Sequence, residues 1–400
     1  MYQLLKGMTI VEGSSFVAGP SCALHCAQMG ARVIRFDQID GGPDSKRWPL
    51  GPEGESLYWE GLNKGKLSIA IDFRQNEGRQ LAQRLATGGD GLFITNFPVG
   101  GFLSYENLSA MREDLICLRI MGWADGSPAV DYTVNASVGL PMMTGHPDNP
   151  RPVNHVLPAW DLIAGSYGAF TLLAAERERT QSGKGREVRL ALSDLAAATT
   201  GNLGQVAEVM LNNADRPRSG NNLFGAFGRD FLTGDGVRLM IVAITPRQWT
   251  GMLQALEIEA EISALEQKLS INFTRDEGAR YGFREQLDPI VEKGFAKFSA
   301  QQLEKHFAEA GVTWSTYRSL REAIDREPRM FGDDSIFSKI VHPGGATYPA
   351  PGAAARIPAD ERAVPVAAPE IGQNTDEILA DFLNMDSGEI GKLHDKGIVS

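Results

Sequence analysis

Cysteine is scarce in this chain, with three residues among 400, and long apolar runs are missing altogether. Cys22, Cys26 and Cys117 form no recognisable metal spacing. Cys22 and Cys26 lie four residues apart on a predicted helix, where two buried apolar side chains are the expected interpretation and a metal-binding face is the alternative. This cysteine usage fits a reducing cytoplasm. Because no stretch approaches about 18 apolar residues, we expect no segment that crosses a membrane.

Basic residues are also in deficit: 39 Lys and Arg stand against 50 Asp and Glu, for a formal net charge of −11. Nucleic acids are usually bound by a basic face, so we expect no nucleic-acid partner. Residues 1–7 lack a charged flank followed by an apolar core, which predicts no signal peptide. The hydrophobic content of 42% and the charged content of 22% are ordinary for a soluble protein. We therefore predict a cytoplasmic globular protein of about two to three domains.

Strand and helix patterns alternate near the start of the chain, with a strand at 8–12, a turn of small residues at 13–20, a helix at 21–29 and a strand at 32–37. This βαβ unit and its repetition predict an open, parallel, Rossmann-like α/β domain. Its ligands should lie beyond the carboxyl ends of the strands, where strand order reverses. The first turn lacks Gly-x-Gly-x-x-Gly, so the usual dinucleotide site is poorly supported. The further predicted elements are strands at 68–72, 91–95 and 115–121 and helices at 76–86 and 105–111.

The middle of the chain differs in texture from both ends. It combines a segment rich in Gly, Asn and Phe at 220–228, a strand at 237–244 and short helices of mixed charge beyond it. We place a smaller α+β domain at 220–325. After it, loops rich in Pro, Gly and Ala lead to a predicted final helix at 374–383.

Asp161 is the strongest local candidate for chemistry. It follows Pro158 closely and precedes a run of small residues, which predicts a position in the first turn of a helix over 161–178. There, unpaired backbone amides and the helix dipole stabilise an anion. The carboxylate is then either a helix cap or a nucleophile, and these residues alone do not separate the two roles.

A resemblance separates them. Short motifs occur in the same order along nearly the whole chain as in the family III CoA-transferases, the group that includes formyl-CoA and carnitine CoA-transferases. Within that family, the stretch Val153 to Asp161 resembles the subgroup that moves CoA between the C1 and C4 carboxylates of mesaconyl-CoA. The family motifs are Val17-Ala18-Gly19-Pro20, Leu62-Asn63-Lys64-Gly65-Lys66, Thr95-Asn96-Phe97, Asp161 with Gly165, Gly183-Lys184-Gly185 and Thr375-Asp376-Glu377.

The resemblance implies a fold, a partner and a mechanism. The expected fold is a large Rossmann-like domain built from 1–200 and 326–400, with the small domain between, in an interlocked homodimer. The carboxylate of Asp161 is expected to attack the thioester of an acyl-CoA substrate, giving a mixed anhydride and then an aspartyl-CoA thioester. Anhydride and thioester are similarly activated, so no metal and no permanently bound cofactor is expected, and coenzyme A enters only as part of the substrate.

The same resemblance places coenzyme A contacts at seven further positions. One of them, Gln38, stands where formyl-CoA transferase has Arg, so we predict that Arg47 supplies part of the phosphate binding. From charge alone, Arg35, Lys46 and Lys66 are either further phosphate ligands or ordinary charged residues. The seven implied contacts are Val17, Ala18, Gln38, Ile71, Arg74, Asn96 and Phe97.

Oxyanion donors and cavity walls are left open by the sequence. Backbone amides at Gly139 or at 225–228 are both candidates for stabilising the tetrahedral intermediates. Water must be kept from the anhydride, and apolar side chains are candidate walls, with ordinary core positions as the alternative. The candidate walls are Phe16, Val17, Trp160 and Phe227.

His155 and the rival functions complete the set of hypotheses. His155 either orients a substrate carboxylate or has a structural hydrogen bond. Racemases of the same fold carry a His near 130–132, and this chain has none there, which argues against α-proton transfer. The functions that stay open are transfer within one molecule, transfer between two acids, a racemase or epimerase, and a silent CoA-binding protein.

Overall fold

The computed structural model describes all 400 residues and divides them into two compact units. The first unit comprises Met1–Val138, His155–Asn213 and Pro328–Ser400, and the second comprises Gly139–Asn154 and Ala214–Glu327. Residues 139–154, which the sequence analysis places with the first 200 residues, group with the second unit. No helix of the structure is both long enough and apolar enough to span a bilayer.

The first unit is built on a six-stranded parallel sheet with the strand order β3-β2-β1-β4-β5-β6. Most strands are rich in apolar residues because both faces of a parallel sheet are buried, although β2 and β6 also carry charged side chains. The predicted α/β class and parallel sheet are confirmed. The order reverses between β1 and β4, which makes the space beyond their carboxyl ends the switch point of the sheet. The strands are β1 Thr9–Gly13, β2 Arg32–Gln38, β3 Leu67–Ile71, β4 Leu92–Thr95, β5 Ile116–Met121 and β6 Arg186–Ala191.

Helices flank this sheet, and two of them, α3 and α4, have the predicted bounds. The longest, α7, packs on α1 through small residues: a Cβ added at Gly165 would lie 2.0 Å from Ser21 Oγ, and one at Gly168 would lie 3.2 Å from Cys22 Sγ. Cys22 and Cys26 are buried free thiols, as the apolar interpretation predicts. The helices of the first 213 residues in this unit are α1 Ala18–Gln28, α2 Leu57–Leu62, α3 Asn76–Ala86, α4 Tyr105–Met111, α5 Asp131–Ser137, α7 Ala159–Ser182, α8 Leu192–Asn202 and α9 Gln205–Asn212.

The C-terminal part of the chain completes the first unit. The predicted final helix is a short helix that continues into a π-helical turn at Ile378–Phe382, and a further helix follows that was not predicted. Ile378, Leu379 and Val399 enter the same apolar cluster as the sheet. The elements are α16 Pro328–Phe331, β10 Phe337–Val341, β11 Thr347–Pro351, α17 Thr375–Glu377 and α18 Ser387–Asp395.

The second unit has its own aromatic core around a three-stranded antiparallel sheet, with the order β7-β8-β9. Arg218 ties the segment 139–154 into this unit, since its guanidinium donates to the Met142 carbonyl at 2.7 Å and to the Arg151 carbonyl at 2.6 Å. Phe227, a predicted cavity wall, is buried here against Trp249, so the core interpretation is the correct one. The elements are α6 Leu140–Met143, β7 Phe227–Leu232, β8 Arg238–Ala243, α10 Pro246–Leu256, α11 Glu259–Leu269, α12 Glu277–Gly282, α13 Arg284–Ala296, α14 Ala300–Ala310, β9 Thr313–Thr316 and α15 Leu320–Arg326.

Candidate active site

A cavity of about 590 Å³ lies at the switch point of the sheet in the first unit. Its walls come from the turn after β1, the segments after β4 and β5, the start of α5 and the first turn of α7. Pockets of this size suit small-molecule ligands. The lining side chains used below are Phe16, Val17, Ala18, Arg47, Trp48, Tyr58, Asn96, Phe97, Asp131, Tyr132 and Asp161.

The turn after β1 is fixed at two points. Phe16 has a φ of 69°, in the left-handed region, and its amide donates to both carboxylate oxygens of Asp44 at 2.9 Å. The amide of Ser15 donates to Asn96 Oδ1 at 3.1 Å, and Asn96 Nδ2 donates back to the Ser15 carbonyl at 2.9 Å. Left-handed backbone is costly for a non-glycine residue, so these bonds hold a shape that the turn would not keep unaided.

Asp44 belongs to a buried charge network behind this turn, which was not predicted. Arg35 donates to Asp37 through two nitrogens at 2.8 Å, to Glu12 at 2.9 Å and to Asp44 at 3.3 Å. Lys66 donates to Glu12 at 2.7 Å. Arg35 and Lys66 are fully buried and satisfied, so the hypothesis that they bind phosphate was wrong. The two cations neutralise carboxylates that would otherwise be costly to bury.

Asp161 stands in the first turn of α7, but it does not cap the helix. The helix begins after Pro158, and the cap is the carboxylate of Asp131 on α5, which accepts from the amides of Trp160 at 2.6 Å and Asp161 at 3.3 Å. The Asp161 carboxylate receives no hydrogen bond from the protein and faces the cavity. The helix-cap interpretation of Asp161 is therefore wrong, and its side chain is free to react.

Asp131 also binds His155. The imidazole Nε2 of His155 lies 3.1 Å from Asp131 Oδ1, and the Tyr132 ring lies edge-on to the imidazole with 6.0 Å between centroids. The Tyr132 hydroxyl donates to the Val156 carbonyl at 3.3 Å. His155 thus has the structural hydrogen bond that was one of its two predicted roles. These contacts hold the segment before α7 against α5 and so fix the position at which α7 begins.

The electrostatics of Asp161 are those of a functional carboxyl group. Burial and, to a smaller extent, the neighbouring charge of Asp131 raise its pKa from the usual range to about 7, while Arg47 acts in the opposite direction. A carboxylate held partly out of water beside a like charge is poorly solvated and more reactive than a surface carboxylate. Groups with such a perturbed pKa in a cleft mark functional sites.

Replacing Asp131 with Asn is expected to move the acidic limb of the pH profile of kcat/KM to lower pH. The amide keeps the size of the side chain and an acceptor for the α7 amides, but it removes the negative charge that raises the pKa of Asp161. Only the ionised carboxylate is nucleophilic, so a larger fraction of the protein carries the reactive form of Asp161 at pH 6. Asp376→Asn, on the exposed helix α17, is the control. An unmoved limb in Asp131→Asn would show that Asp131 does not set this pKa.

The other predicted contacts fall into two groups. Val17, Ala18, Arg47, Asn96 and Phe97 line the cavity together with Asp161, and Phe16 is a wall of it as predicted. Gln38, Ile71 and Arg74 do not line it. Gln38 and Arg74 both bind Asp72 at the carboxyl end of β3, at 3.0 and 2.7 Å, and Ile71 is fully buried in the sheet core. Lys46 is exposed and Trp160, on α7, is buried. Gly139 and the segment 225–228 both lie in the second unit.

Aromatic residues of the cavity that received no role from the sequence include Tyr58 and Trp48. Tyr58 lies on α2 and lines the cavity, although its hydroxyl has no hydrogen-bond partner. Trp48 also lines the cavity and is 78% exposed. Trp48 directly follows the predicted contact Arg47 but was given no role of its own. For Tyr58, nothing in the local sequence shows which face of the short helix α2 turns to a cavity. An exposed Trp on a loop is the one signal that could have indicated a ligand surface.

A Rossmann-like sheet with a reactive carboxylate at its switch point defines an α/β protein with a candidate nucleophile. The profile of CoA-transferase family III matches residues 5–375. The chain is 46% identical, over all of its length and 98% of the relative, to 2-methylfumaryl-CoA isomerase of Chloroflexus aurantiacus. The succinyl-CoA–D-citramalate CoA-transferase of the same organism is 27% identical over 99% of this chain and 98% of its own. The chain belongs to CoA-transferase family III.

Solved structures agree on the fold. The crystal structure of a CAIB/BAIF family protein from Brucella suis matches this chain with a TM-score of 0.77 and 24% identity. The match covers 95% of this chain and all of the other. At this identity the likeness establishes the fold alone.

Proposed function

We propose that this enzyme moves coenzyme A between the C1 and C4 carboxylates of 2-methylfumaryl-CoA through a covalent intermediate on Asp161. The observation that carries the proposal is the free carboxylate of Asp161, whose pKa is raised to about 7 inside a cavity at the switch point. Full-length similarity to a relative that is named for this isomerisation supports the choice of substrate.

The chemistry balances without an added reagent. The Asp161 carboxylate attacks the thioester carbonyl, CoA thiolate leaves, and a mixed anhydride remains. The thiolate then attacks the Asp161 carbonyl, which gives an aspartyl-CoA thioester and frees the dicarboxylate. The other carboxylate of that acid attacks the aspartyl thioester, expels CoA thiolate and forms a second mixed anhydride. The thiolate then attacks the substrate carbonyl of this anhydride, which gives the new thioester and regenerates the Asp161 carboxylate.

Water competes at both activated intermediates, and the apolar walls limit its access. Phe16, Val17 and Phe97 contribute apolar surface to the cavity that contains Asp161. Excluding water strengthens every electrostatic interaction in the cavity and protects the anhydride from hydrolysis. The coenzyme A contacts at Val17, Ala18, Asn96 and Phe97 belong to this proposal, as do the outlying contacts at Gln38 and Arg74, whereas the fully buried Ile71 is not kept as a contact.

Transfer between two different acids is the second candidate, because the 27% identical relative is named for such a reaction. The two are separated by turnover in the presence of a labelled free dicarboxylic acid. Transfer within one molecule predicts product without label, and transfer between acids predicts labelled thioester. A racemase would instead exchange the α-proton with solvent deuterium and leave the thioester in place.

Trapping during turnover tests the covalent step. Hydroxylamine should convert activated Asp161 to its hydroxamate, and borohydride should reduce the aspartyl thioester, each giving a defined mass change on the peptide that contains Asp161. Asp161→Asn is the control and should remain unlabelled. An enzyme that turns over its substrate but labels no residue would contradict the proposal, and tight CoA binding without any exchange would indicate the silent CoA-binding protein.

The assembly and the location are part of the same proposal. The family resemblance implies an interlocked homodimer in the cytoplasm. Large apolar side chains stand exposed on the single chain around α7 to α9, and such surfaces usually meet a partner. Light scattering of the purified enzyme tests the dimer directly. The exposed apolar side chains are Val156, Leu157, Phe170, Leu203, Met210 and Leu211.

A further inference from the structure

Arg47 is the one cationic residue among those that line the cavity. Its guanidinium forms no ion pair and no hydrogen bond, and it lies over the rings of Phe16 and Tyr58, with its central carbon 5.1 and 5.2 Å from their centroids. Stacking of this kind orients a guanidinium and leaves the N–H groups along its edge free. Arg47 is therefore an oriented donor without an acceptor.

The hydroxyl of Tyr58 is a second donor in the same place. It is buried and has no hydrogen-bond partner, and burial raises its pKa well above the usual range, so it carries its proton at all physiological pH values. The charges of Arg47 and Asp161 both act on it. A buried hydroxyl without a partner is costly, and a ligand that accepts its hydrogen bond removes that cost.

We propose that Arg47 and Tyr58 bind the free carboxylate of a dicarboxylyl-CoA while Asp161 reacts with the thioester at the other end. The inference rests on the proposed function and names a specificity site for it. A carboxylate is planar, and it matches the free edge of a guanidinium with two parallel hydrogen bonds. The phosphates of CoA fit less well, because the pantetheine arm separates them from the sulfur that must reach Asp161.

The site also gives a physical reason for transfer within one molecule. After the first half-reaction the freed dicarboxylate has two carboxylates, and its C1 carboxylate can replace its C4 carboxylate on Arg47 and Tyr58. The acid thereby turns over without leaving the cavity, and its C4 carboxylate then faces the aspartyl thioester. The same residue that selects a dicarboxylyl substrate thus limits exchange with free acids in solution.

Equilibrium binding tests the assignment on the unreactive Asp161→Asn enzyme with three ligands: 2-methylfumaryl-CoA, tiglyl-CoA and free CoA. Tiglyl-CoA has a methyl group in place of the free carboxylate and is otherwise the same ester. Arg47→Met is expected to weaken the binding of 2-methylfumaryl-CoA by about 10- to 100-fold, the usual cost of a lost charged hydrogen bond. The affinities for tiglyl-CoA and free CoA should stay unchanged. Tyr58→Phe keeps the ring and should cause a smaller loss with the same selectivity.

A uniform loss for all three ligands in Arg47→Met would overturn the assignment and favour a phosphate contact instead. Arg84→Met is the matched control, since Arg84 is exposed, lies outside the cavity, is not among the proposed coenzyme A contacts and should not discriminate between the two esters. Because binding is measured without turnover, the result does not depend on trapping at Asp161. A selective loss with no covalent adduct would keep the carboxylate site and reject the proposed mechanism.

Discussion

Replacing Asp161 with Asn should lower kcat by about 10⁴-fold or more and at the same time make the protein more stable at pH 8. The first effect follows from the loss of the nucleophile, which in covalent catalysis removes most of the rate enhancement. The second follows from the environment of the side chain: burial and the charge of Asp131 oppose the ionised form of Asp161. One substitution thus separates the functional role from a structural one.

The pH dependence of this stabilisation has a definite sign. The pKa of Asp161 is about 7 in the folded enzyme and has its ordinary, lower value in the unfolded chain. The folded state therefore binds the extra proton between these values, and stability falls as the pH rises towards 7. Above pH 7 the full penalty is present, at most about 4 kcal/mol for a shift of this size and less after screening by solvent.

Thermal unfolding at pH 8 and pH 5, together with turnover of 2-methylfumaryl-CoA, measures both effects. Asp161→Asn should unfold at a higher temperature than the wild type at pH 8, and the difference should shrink at pH 5. Asp161→Ala should show the same loss of activity. A variant that is active, or that is less stable at pH 8, would mean that Asp161 supports the helix and not the reaction.

The sheet could be predicted from the sequence because its signals are local. Most strands of the sheet are short runs rich in apolar residues, and α3 and α4 lie between such runs with clear polar faces. Helix α18 also has a local signal, since Asp386 and Glu389 form its capping box, but the short, polar segment was not recognised as a helix. The placement of 139–154 depends on Arg218, more than sixty residues further along the chain. Contacts of that kind leave no local pattern.

The site was only partly predictable for the same reason. Asp161 was found because a family motif surrounds it, whereas its partner Asp131 lies 30 residues earlier and could be assigned no role. For Arg35 and Lys66 the sequence left phosphate binding open beside an ordinary charged role, because cations near strand ends are common in anion sites. Their partners Glu12, Asp37 and Asp44 come together only when β1, β2 and the loop after β2 are packed.

Arg35→Met is expected to cost about 3–5 kcal/mol of stability, the largest structural effect predicted for a single substitution here. The side chain is of similar length and fits the space, but it leaves Glu12, Asp37 and Asp44 with Lys66 as the one remaining cation. Uncompensated carboxylates in a buried site take up protons, so their pKa values should rise in the variant. The loss of stability should therefore be greatest above pH 7 and shrink as the pH falls towards 5.

Denaturant unfolding at both pH values measures this loss, and Arg74→Met, which removes an exposed arginine, should change stability by less than about 0.5 kcal/mol. The two interpretations of Arg35 make opposite predictions. If Arg35 were a phosphate ligand, the substitution would raise KM for every CoA ester and leave stability unchanged. A structural guanidinium should destabilise the fold and also loosen Asp44, which holds the left-handed turn at Phe16. Since that turn forms a wall of the cavity, kcat should then fall together with stability. In that case the buried charge network around Arg35 keeps water out of the cavity that contains Asp161.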